Sequence, residues 1–534
     1  MKLWDKIKDR FRNGVERVAE STDLFKKDVF DLEGVPAFRQ YYTLFIWVWQ
    51  AIYKGFYKDW HVVPIHTINN PKGKMRTMAT MNAGKMACSQ MARYVWNERC
   101  TITASSANRD KNSKEPDPVN EFLQHVLSEN RFGGAFGDLL EKVFAMGGGA
   151  LKEWVEIPKD ENGNDAGEGK IRLSYHMAGQ FVPTAWDNAR VNSAIFINRE
   201  AKEGYYYSVV EWHKWDGTTY RVTNDLYRTP IKDQEPQNIL GWWYPLNMIY
   251  PLLSPSTEIP DVHQTYFQYI RPFGANYADD NSPLGMSVFA PALDTLHSLD
   301  TMFDSLQREF VLGKKRIIVP ARAMKMTAGP ANGGPPQKYF DADDEVWEAL
   351  STDNPDDLKV YDNTVEIRAD DHVKGINAEL SILCAQIGFD PGVLSFDVQK
   401  GMKTATEVIS ENSKTFGTVK AHENSMKDAL VDMVHAIFDL AARYGITWEG
   451  QSVESLISGG YDVSVKFDDS IIQDKAAELN QGMALVDASL MSKRKFMTDV
   501  LGYTPEEADA EIAQISLESA GKTVEETRLM GGMA

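Results

Sequence analysis

The sequence predicts an α+β fold, on three observations. Short runs of β-branched and aromatic residues crowd between about Lys152 and Arg228. Two apolar seams with steps of three and four run from Phe289 to Phe310 and from Val373 to Ile387, and they bracket a strongly acidic module. A third helical stretch and a helical tail close the chain.

In chain order, Leu3, Trp4, Ile7, Phe11, Val15 and Val18 form one stripe, the periodicity of an amphipathic helix whose apolar face needs a partner surface. The most apolar stretch lies around Leu44 to Trp49. Its charge-free window, Gln40 to Tyr53, falls short of the roughly 20 residues that span a bilayer, so it reads as a buried aromatic helix and no membrane anchor. Another helix is expected from about Gly84 to Asn97, with Met86, Met91, Tyr94 and Val95 as its apolar positions, and Ser105 to Pro118 reads as a loop. Strands are expected at Lys152 to Ile157, Ile171 to His176, Ala194 to Asn198, Tyr205 to Trp215 and Thr218 to Val222, the last two joined by a two-residue turn at Asp216-Gly217.

The first seam, Phe289, Ala292, Leu296, Leu299, Phe303, Leu306 and Phe310, predicts a helix with Pro291 in its first turn and Gly313 at its stop. Lys314, Lys315 and Arg316 then sit where cations complement the helix dipole. Ile317 to Val319 reads as a strand and Met326 to Pro336 as a Gly/Pro loop. From Lys338 to Asp371 twelve Asp or Glu stand against three Lys or Arg, beginning with Asp341, Asp343, Asp344 and Glu345. The second seam, Val373, Ile376, Leu380, Leu383 and Ile387, closes at Gly388. A loop from Phe389 to Lys403 follows, and Thr404-Ala405-Thr406-Glu407 is a capping box opening a helix that reaches about Tyr444. A strand at Val463 to Phe467 precedes tail helices at Asp474 to Ala488, at Lys493 to Leu501, and after Thr504-Pro505-Glu506-Glu507.

The 534 residues suffice for several domain-sized units, and 43% hydrophobic residues supply packed cores. Three cysteines, Cys88, Cys100 and Cys384, make neither a disulfide framework nor a zinc knuckle, and a reducing compartment is expected. The N-terminus alternates charged and apolar residues and lacks a signal-peptide core, so secretion by that route is not expected. A net charge of −19 excludes a broad basic face for gripping nucleic acid. It suits a wall past which DNA slides, because each lysine bound to phosphate adds affinity and hence friction.

Catalytic motifs are not visible. Gly521-Lys522-Thr523 lacks the phosphate-loop glycine, since Ser516 holds that position, and Gly147-Gly148-Gly149 has no GxGxxG spacing and reads as a helix-to-strand turn. His61 and His66 flank Pro64 in an extended segment, without metal-ligand spacing, and no cofactor or metal is expected. Lys400 and Lys403, beside Gln399 and around Gly401, are two loop lysines by type and informative by position. The cluster Arg308, Lys314, Lys315, Arg316, Arg322 and Lys325 serves a helix end and balances the neighbouring acids, and such patches often carry more than one role.

The organisation as a whole resembles the portal protein of tailed bacteriophages, most closely the branch from phages of Gram-positive bacteria. The residues that carry the resemblance are Asp280-Asn281-Ser282-Pro283-Leu284-Gly285, Ala292-Leu293-Asp294-Thr295-Leu296, Phe303-Asp304-Ser305-Leu306-Gln307-Arg308-Glu309-Phe310, Tyr339-Phe340-Asp341-Ala342-Asp343-Asp344-Glu345, Lys403-Thr404-Ala405-Thr406-Glu407-Val408, Phe467-Asp468-Asp469 and Gly502-Tyr503-Thr504-Pro505-Glu506-Glu507-Ala508.

The resemblance implies a non-enzymatic virion protein, assembled in the host bacterial cytoplasm as a ring of about twelve subunits at one capsid vertex. It implies a mixed wing over 1–285, a stem helix over 286–313, a clip over 314–367, a returning stem helix over 368–388, a tunnel loop over 389–403, a long helix and wing return over 404–467, and a crown over 468–534. The stem would pack through Phe289, Leu296, Leu299, Phe303, Leu306, Phe310, Val373, Ile376, Leu380 and Leu383. Gln399, Lys400 and Lys403 would face double-stranded DNA without reading its sequence. The acids Asp341, Asp343, Asp344 and Glu345 would meet the terminase large subunit or a head-completion adaptor, and capsid and scaffold proteins would surround the ring. A phage cell-wall hydrolase, expected to be monomeric with a paired-carboxylate cleft, is the alternative from another class. A head-to-tail adaptor is a third, although adaptors are usually much shorter and lack the helix-module-helix plan.

Overall fold

The fold is that of a computed structural model, which describes residues 27–32, 34–36, 38–67, 70–107, 115–158, 167–188, 190–231, 239–280, 282–313, 317–318, 325–326, 338–339, 361–362, 366–395, 413–468, 475–501, 503 and 508–515. In chain order the elements are β1 (Lys27–Asp28), α1 (Phe38–Tyr53), α2 (Lys58–His61), β2 (Val62–Thr67), β3 (Asn70–Thr77), α3 (Ala83–Val95), β4 (Thr101–Ser106), α4 (Pro118–Glu129), α5 (Phe132–Met146), β5 (Gly149–Glu156), β6 (Lys170–Met177), β7 (Phe181–Asp187), β8 (Arg190–Lys202), β9 (Tyr205–Trp215), β10 (Tyr220–Pro230), β11 (Ile239–Tyr244), β12 (Ser256–Ile259) and β13 (Phe267–Ile270). Then come α6 (Leu293–Leu312), β14 (Ile317–Ile318), β15 (Lys325–Met326), β16 (Lys338–Tyr339), β17 (Tyr361–Asp362), α7 (Ala369–Ile387), α8 (Ser413–Arg443), β18 (Thr447–Trp448), β19 (Gln451–Ser452), α9 (Val453–Ile457), β20 (Tyr461–Lys466), α10 (Lys475–Asp487) and α11 (Lys493–Asp499). Helices and strands mix as an α+β fold.

The chain divides into two compact units. The larger comprises Met1–Gly55, Asn82–Asp294 and Ser381–Ala534, the smaller Phe56–Met81 and Thr295–Leu380. In the larger unit an antiparallel sheet runs in the order β1-β11-β10-β9-β8-β7, with β12 added beside β10, and a second sheet runs β13-β5-β6. Alternation along β8 and β9 sends Ile195, Ile197, Val210 and Trp212 to one face, where Val29 and Leu32 cover them. Phe196, Glu211 and His213 go to the other face and meet the small sheet. There the rings of Phe196 and Phe267 lie 5.6 Å apart, and Phe181 stacks on Tyr269 at 5.1 Å.

This layer between the sheets also buries charge. Lys152 Nζ donates to both Glu211 oxygens, at 2.9 and 2.8 Å, and the Glu211 carboxylate lies 2.6 Å from His213 Nε2. His213 Nδ1 lies 2.6 Å from the Tyr220 hydroxyl. Burial alone would raise the Glu211 carboxyl, but the His213 and Lys152 contacts overcome it and hold the group well below the usual carboxylate range. Burial also drives His176, at the edge of the cluster, down to about 3, so its imidazole is neutral near pH 7.

The opposite face of the small sheet carries Leu151, Glu153, Leu173 and Tyr175 and is covered by α5 and α8. In α1 the buried residues Tyr42, Phe45, Val48, Trp49 and Ile52 recur at helical spacing, which is why this aromatic stretch is a core helix. Among the described residues no helix is long and apolar enough to cross a membrane.

The predicted two-residue turn at Asp216-Gly217 is a four-residue connection instead. Trp215 pairs with Tyr220, and the Asp216 carboxylate organises the loop by accepting from the Thr218 and Thr219 amides at 3.0 and 2.7 Å. Strand β4, which the sequence did not suggest, pairs with β20 and reaches two residues, Ser105 and Ser106, into the stretch read as loop. The stripe over the first twenty residues, the capping box at Thr404 to Glu407 and the motif at Thr504 to Glu507 lie outside the described residues.

Candidate nucleic-acid interface

The candidate DNA-facing stretch, 389–403, begins just after α7, and the residues that follow α7 are tied to those that open α8. Gly388 follows α7 with φ +88°, and a Cβ there would stand 2.5 Å from Thr418 Oγ1, so glycine is required for both conformation and space. Thr418 Oγ1 donates to the Gly388 carbonyl at 2.7 Å. Phe389 is fully buried, its amide donating to the Cys384 carbonyl and its ring edge-on to Tyr94. The Asp390 amide donates to Thr415 Oγ1 and the Thr415 amide donates back to the Asp390 carboxylate, both at 2.8 Å. This reciprocal pair is itself buried. Lys414 Nζ adds a bond to the Ala385 carbonyl at 2.8 Å. The chain therefore departs and re-enters from one fixed base. Gln399, Lys400 and Lys403 lie outside the described residues.

In the smaller unit, α6 is held by acids on one face. Asp300 accepts from His61 Nε2 at 3.0 Å, Thr80 Oγ1 at 2.9 Å and the Met81 amide at 2.8 Å. One turn later Asp304 takes both arms of the Arg76 guanidinium, at 2.7 and 2.5 Å, and the Ala79 amide at 3.1 Å. Arg76 holds the Asp304 carboxyl below its ordinary range. These bonds fasten the β2–β3 hairpin along the helix, and they engage His61 with Asp300. Near the helix end, exposed Arg368 forks onto Glu309 at 3.1 Å. The two acids sit four residues apart, a spacing visible in the sequence beside the apolar seam.

Along the two seams, Phe289, Leu296, Leu299, Ile376, Leu380 and Leu383 are buried, while Phe303, Leu306 and Val373 are half-buried. Cover runs out toward the end of α6, where Phe310 is 54% and Val311 62% exposed. Arg308 is half-buried on α6 and Lys325 falls in β15. Lys314, Lys315, Arg316, Arg322 and the acids Asp341, Asp343, Asp344 and Glu345 lie outside the described residues. Between α6 and α7 the described backbone forms two antiparallel pairs, β14 with β17 and, nested within it in sequence, β15 with β16.

Residues 40–523 match the family described as phage portal protein, SPP1 Gp6-like. The chain belongs to this family of phage portal proteins. No curated protein matches it. The portal match takes in both seam helices, the nested strand pairs between them, the tied loop base and α8, together with the small sheet and all of the large sheet but β1.

Proposed function

We propose that this chain is the subunit of a portal ring of about twelve copies at one capsid vertex. The ring is the channel through which terminase packages double-stranded DNA and through which DNA is later ejected. It is also the attachment point for head-completion and tail proteins. The family match over residues 40–523 is the observation that carries this reading. In this proposal residues 1–285 form the wing, α6 and α7 the stem, 314–367 the clip, 389–403 the tunnel loop and 468–534 the crown, and the branch is that of phages of Gram-positive bacteria. Its role is structural and non-enzymatic, in a virion assembled in the host cytoplasm against capsid and scaffold proteins.

Two physical features support it. Phe310 and Val311 leave an apolar helix end uncovered in one copy, and head-to-tail neighbours in a closed ring supply the cover. The net charge of −19 keeps contact with a sliding duplex weak. The test is native mass spectrometry with negative-stain imaging of the purified protein, alone and co-expressed with scaffold and capsid proteins. A closed ring with a central hole is expected, and a chain that stays monomeric in both settings overturns the proposal.

The tunnel-loop assignment has its own test. Replacing Lys400 and Lys403 by glutamate removes two phosphate contacts per subunit without touching the loop base. Packaged DNA length or retention in the head is expected to change while rings still form. Unchanged packaging removes these lysines from the DNA path.

A further inference from the structure

The side chain of Glu153 on β5 is 2% exposed, and neither carboxylate oxygen has a hydrogen-bond partner. Buried carboxylates normally carry a cation or donors. Among the described residues none is bonded to either oxygen. Lys152 on the same strand points to the other face of the sheet, where Glu211 takes it. From β6 comes Tyr175, whose hydroxyl is also buried without a partner. The Glu153 amide donates to the Tyr266 carbonyl, and the Tyr266 hydroxyl is committed to Asp439. Tyr220 on β10, within electrostatic reach, is bonded to His213. From α5 come Leu139 and Val143, packed at the start of β5. The helix α8 brings Asp432, a like charge, with Arg190 at 3.8 Å from it and Asp428 and His435 acting on it.

We propose that Glu153 is a proton-dependent latch for α8: the helix lies seated on the small sheet while this carboxyl keeps its proton, and it lifts when the proton leaves to bulk water. Burial, reinforced by Asp432, pushes the Glu153 carboxyl well above its ordinary value. The seated state therefore binds one more proton than any state in which water reaches the carboxylate. The seat is fully held below the ordinary carboxyl pKa of about 4.3, and its advantage falls tenfold per pH unit above that, up to the seated value. The start of α8 carries Thr415 and Thr418, so the same helix forms half of the loop base. Retaining an unpaired acid beneath this helix makes its seat adjustable.

The inference concerns the folded chain and stands whether or not 389–403 faces DNA; only its consequence for the channel rests on the portal proposal. The test is amide hydrogen exchange on the purified full-length assembly between pH 5 and pH 8, corrected for intrinsic chemical exchange. Protection across 426–438 in α8 is expected to fall by up to tenfold per pH unit, while α5 stays constant. In Glu153→Gln, and in Glu153→Met should the glutamine variant misfold, α8 protection is expected to be independent of pH. Constant protection of α8 in the unaltered protein overturns the proposal without any variant, and so does a slope that survives both substitutions. Ring formation is read separately, so failure of the latch and failure of the portal reading are distinguishable.

Discussion

Glu211→Ala is expected to destabilise the protein by about 3–5 kcal/mol. The side chain it removes is the counterion of Lys152, whose ammonium is buried between the two sheets and has both of its ion-pair bonds on Glu211. Alanine strands that ammonium and also leaves His213 Nε2 without its carboxylate. Most of the loss is the cost of an unpaired buried charge, not the net worth of the pair. Lys152→Met added to Glu211→Ala is therefore expected to recover more than half of it. Urea midpoints followed by tryptophan fluorescence give both values, and a double variant no better than the single one would show that packing, not charge, governs the layer. The pH dependence has a definite sign. Because the folded-state carboxyl lies below its ordinary value, the Glu211 contribution is present above about pH 4.3 and disappears as the pH falls further. The gap between unaltered protein and variant should narrow in acid. The depressed His176 has the same sign in a higher window, its contribution being present above about pH 6.5 and lost as the pH falls toward about 3.

Gly285→Ala is the second large effect. A Cβ there would stand 2.5 Å from the Gly147 carbonyl oxygen, 2.8 Å from Arg271 Cβ and 3.2 Å from Pro272 Cδ. A Cβ on Gly147 would in turn meet the Gly285 carbonyl oxygen at 2.5 Å, at a φ of +78°. The obstacle on each side is backbone, which cannot rotate away. The contact is also bonded in place, since the Tyr42 hydroxyl donates to the Gly285 carbonyl and the Gly285 amide donates to the Tyr269 hydroxyl at 3.1 Å. Separating these strands of chain is expected to cost about 2–4 kcal/mol at either position. Soluble yield and urea midpoint check this. Gly133→Ala is the control, because a Cβ there has nothing within 4 Å and lies in the first turn of α5, where alanine is tolerated.

What the sequence revealed follows how local each signal is. The seams at 289–310 and 373–387 are legible because helical periodicity is written in adjacent turns, and α6 and α7 fall on them. The aromatic stretch at 40–53 is legible from its unbroken apolar run, and the strands around 152–157, 171–176, 194–198 and 205–215 from their β-branched and aromatic residues, whereas β7 at Phe181–Asp187 was not anticipated. Helix α4 was not, and α5 only by its end at Gly147; in α5 the glycines Gly133, Gly134 and Gly137 lower helix propensity, and burial of Leu139, Leu140, Val143 and Phe144 decides the outcome. The end of α7 could be read from Gly388 and from Pro391 and Gly392 just beyond it. The tied base could not, because Asp390 and Thr415 meet across 25 residues with no periodicity linking them. The Lys152–Glu211 pair, spread over two sheets, and the lone acid Glu153 are likewise invisible before the chain is folded.

The tied base has an evolutionary consequence. Asp390 and Thr415 close the end of one described segment against the start of the next, so the distance between these two points is set by residues outside 396–412. Closure entropy grows slowly with the length of chain between two joined points, by only about 0.6 kcal/mol per doubling. A change of length between relatives in the stretch that joins these ends is therefore expected to leave the base intact, while a single change at Gly388, Asp390 or Thr415 is expected to break it.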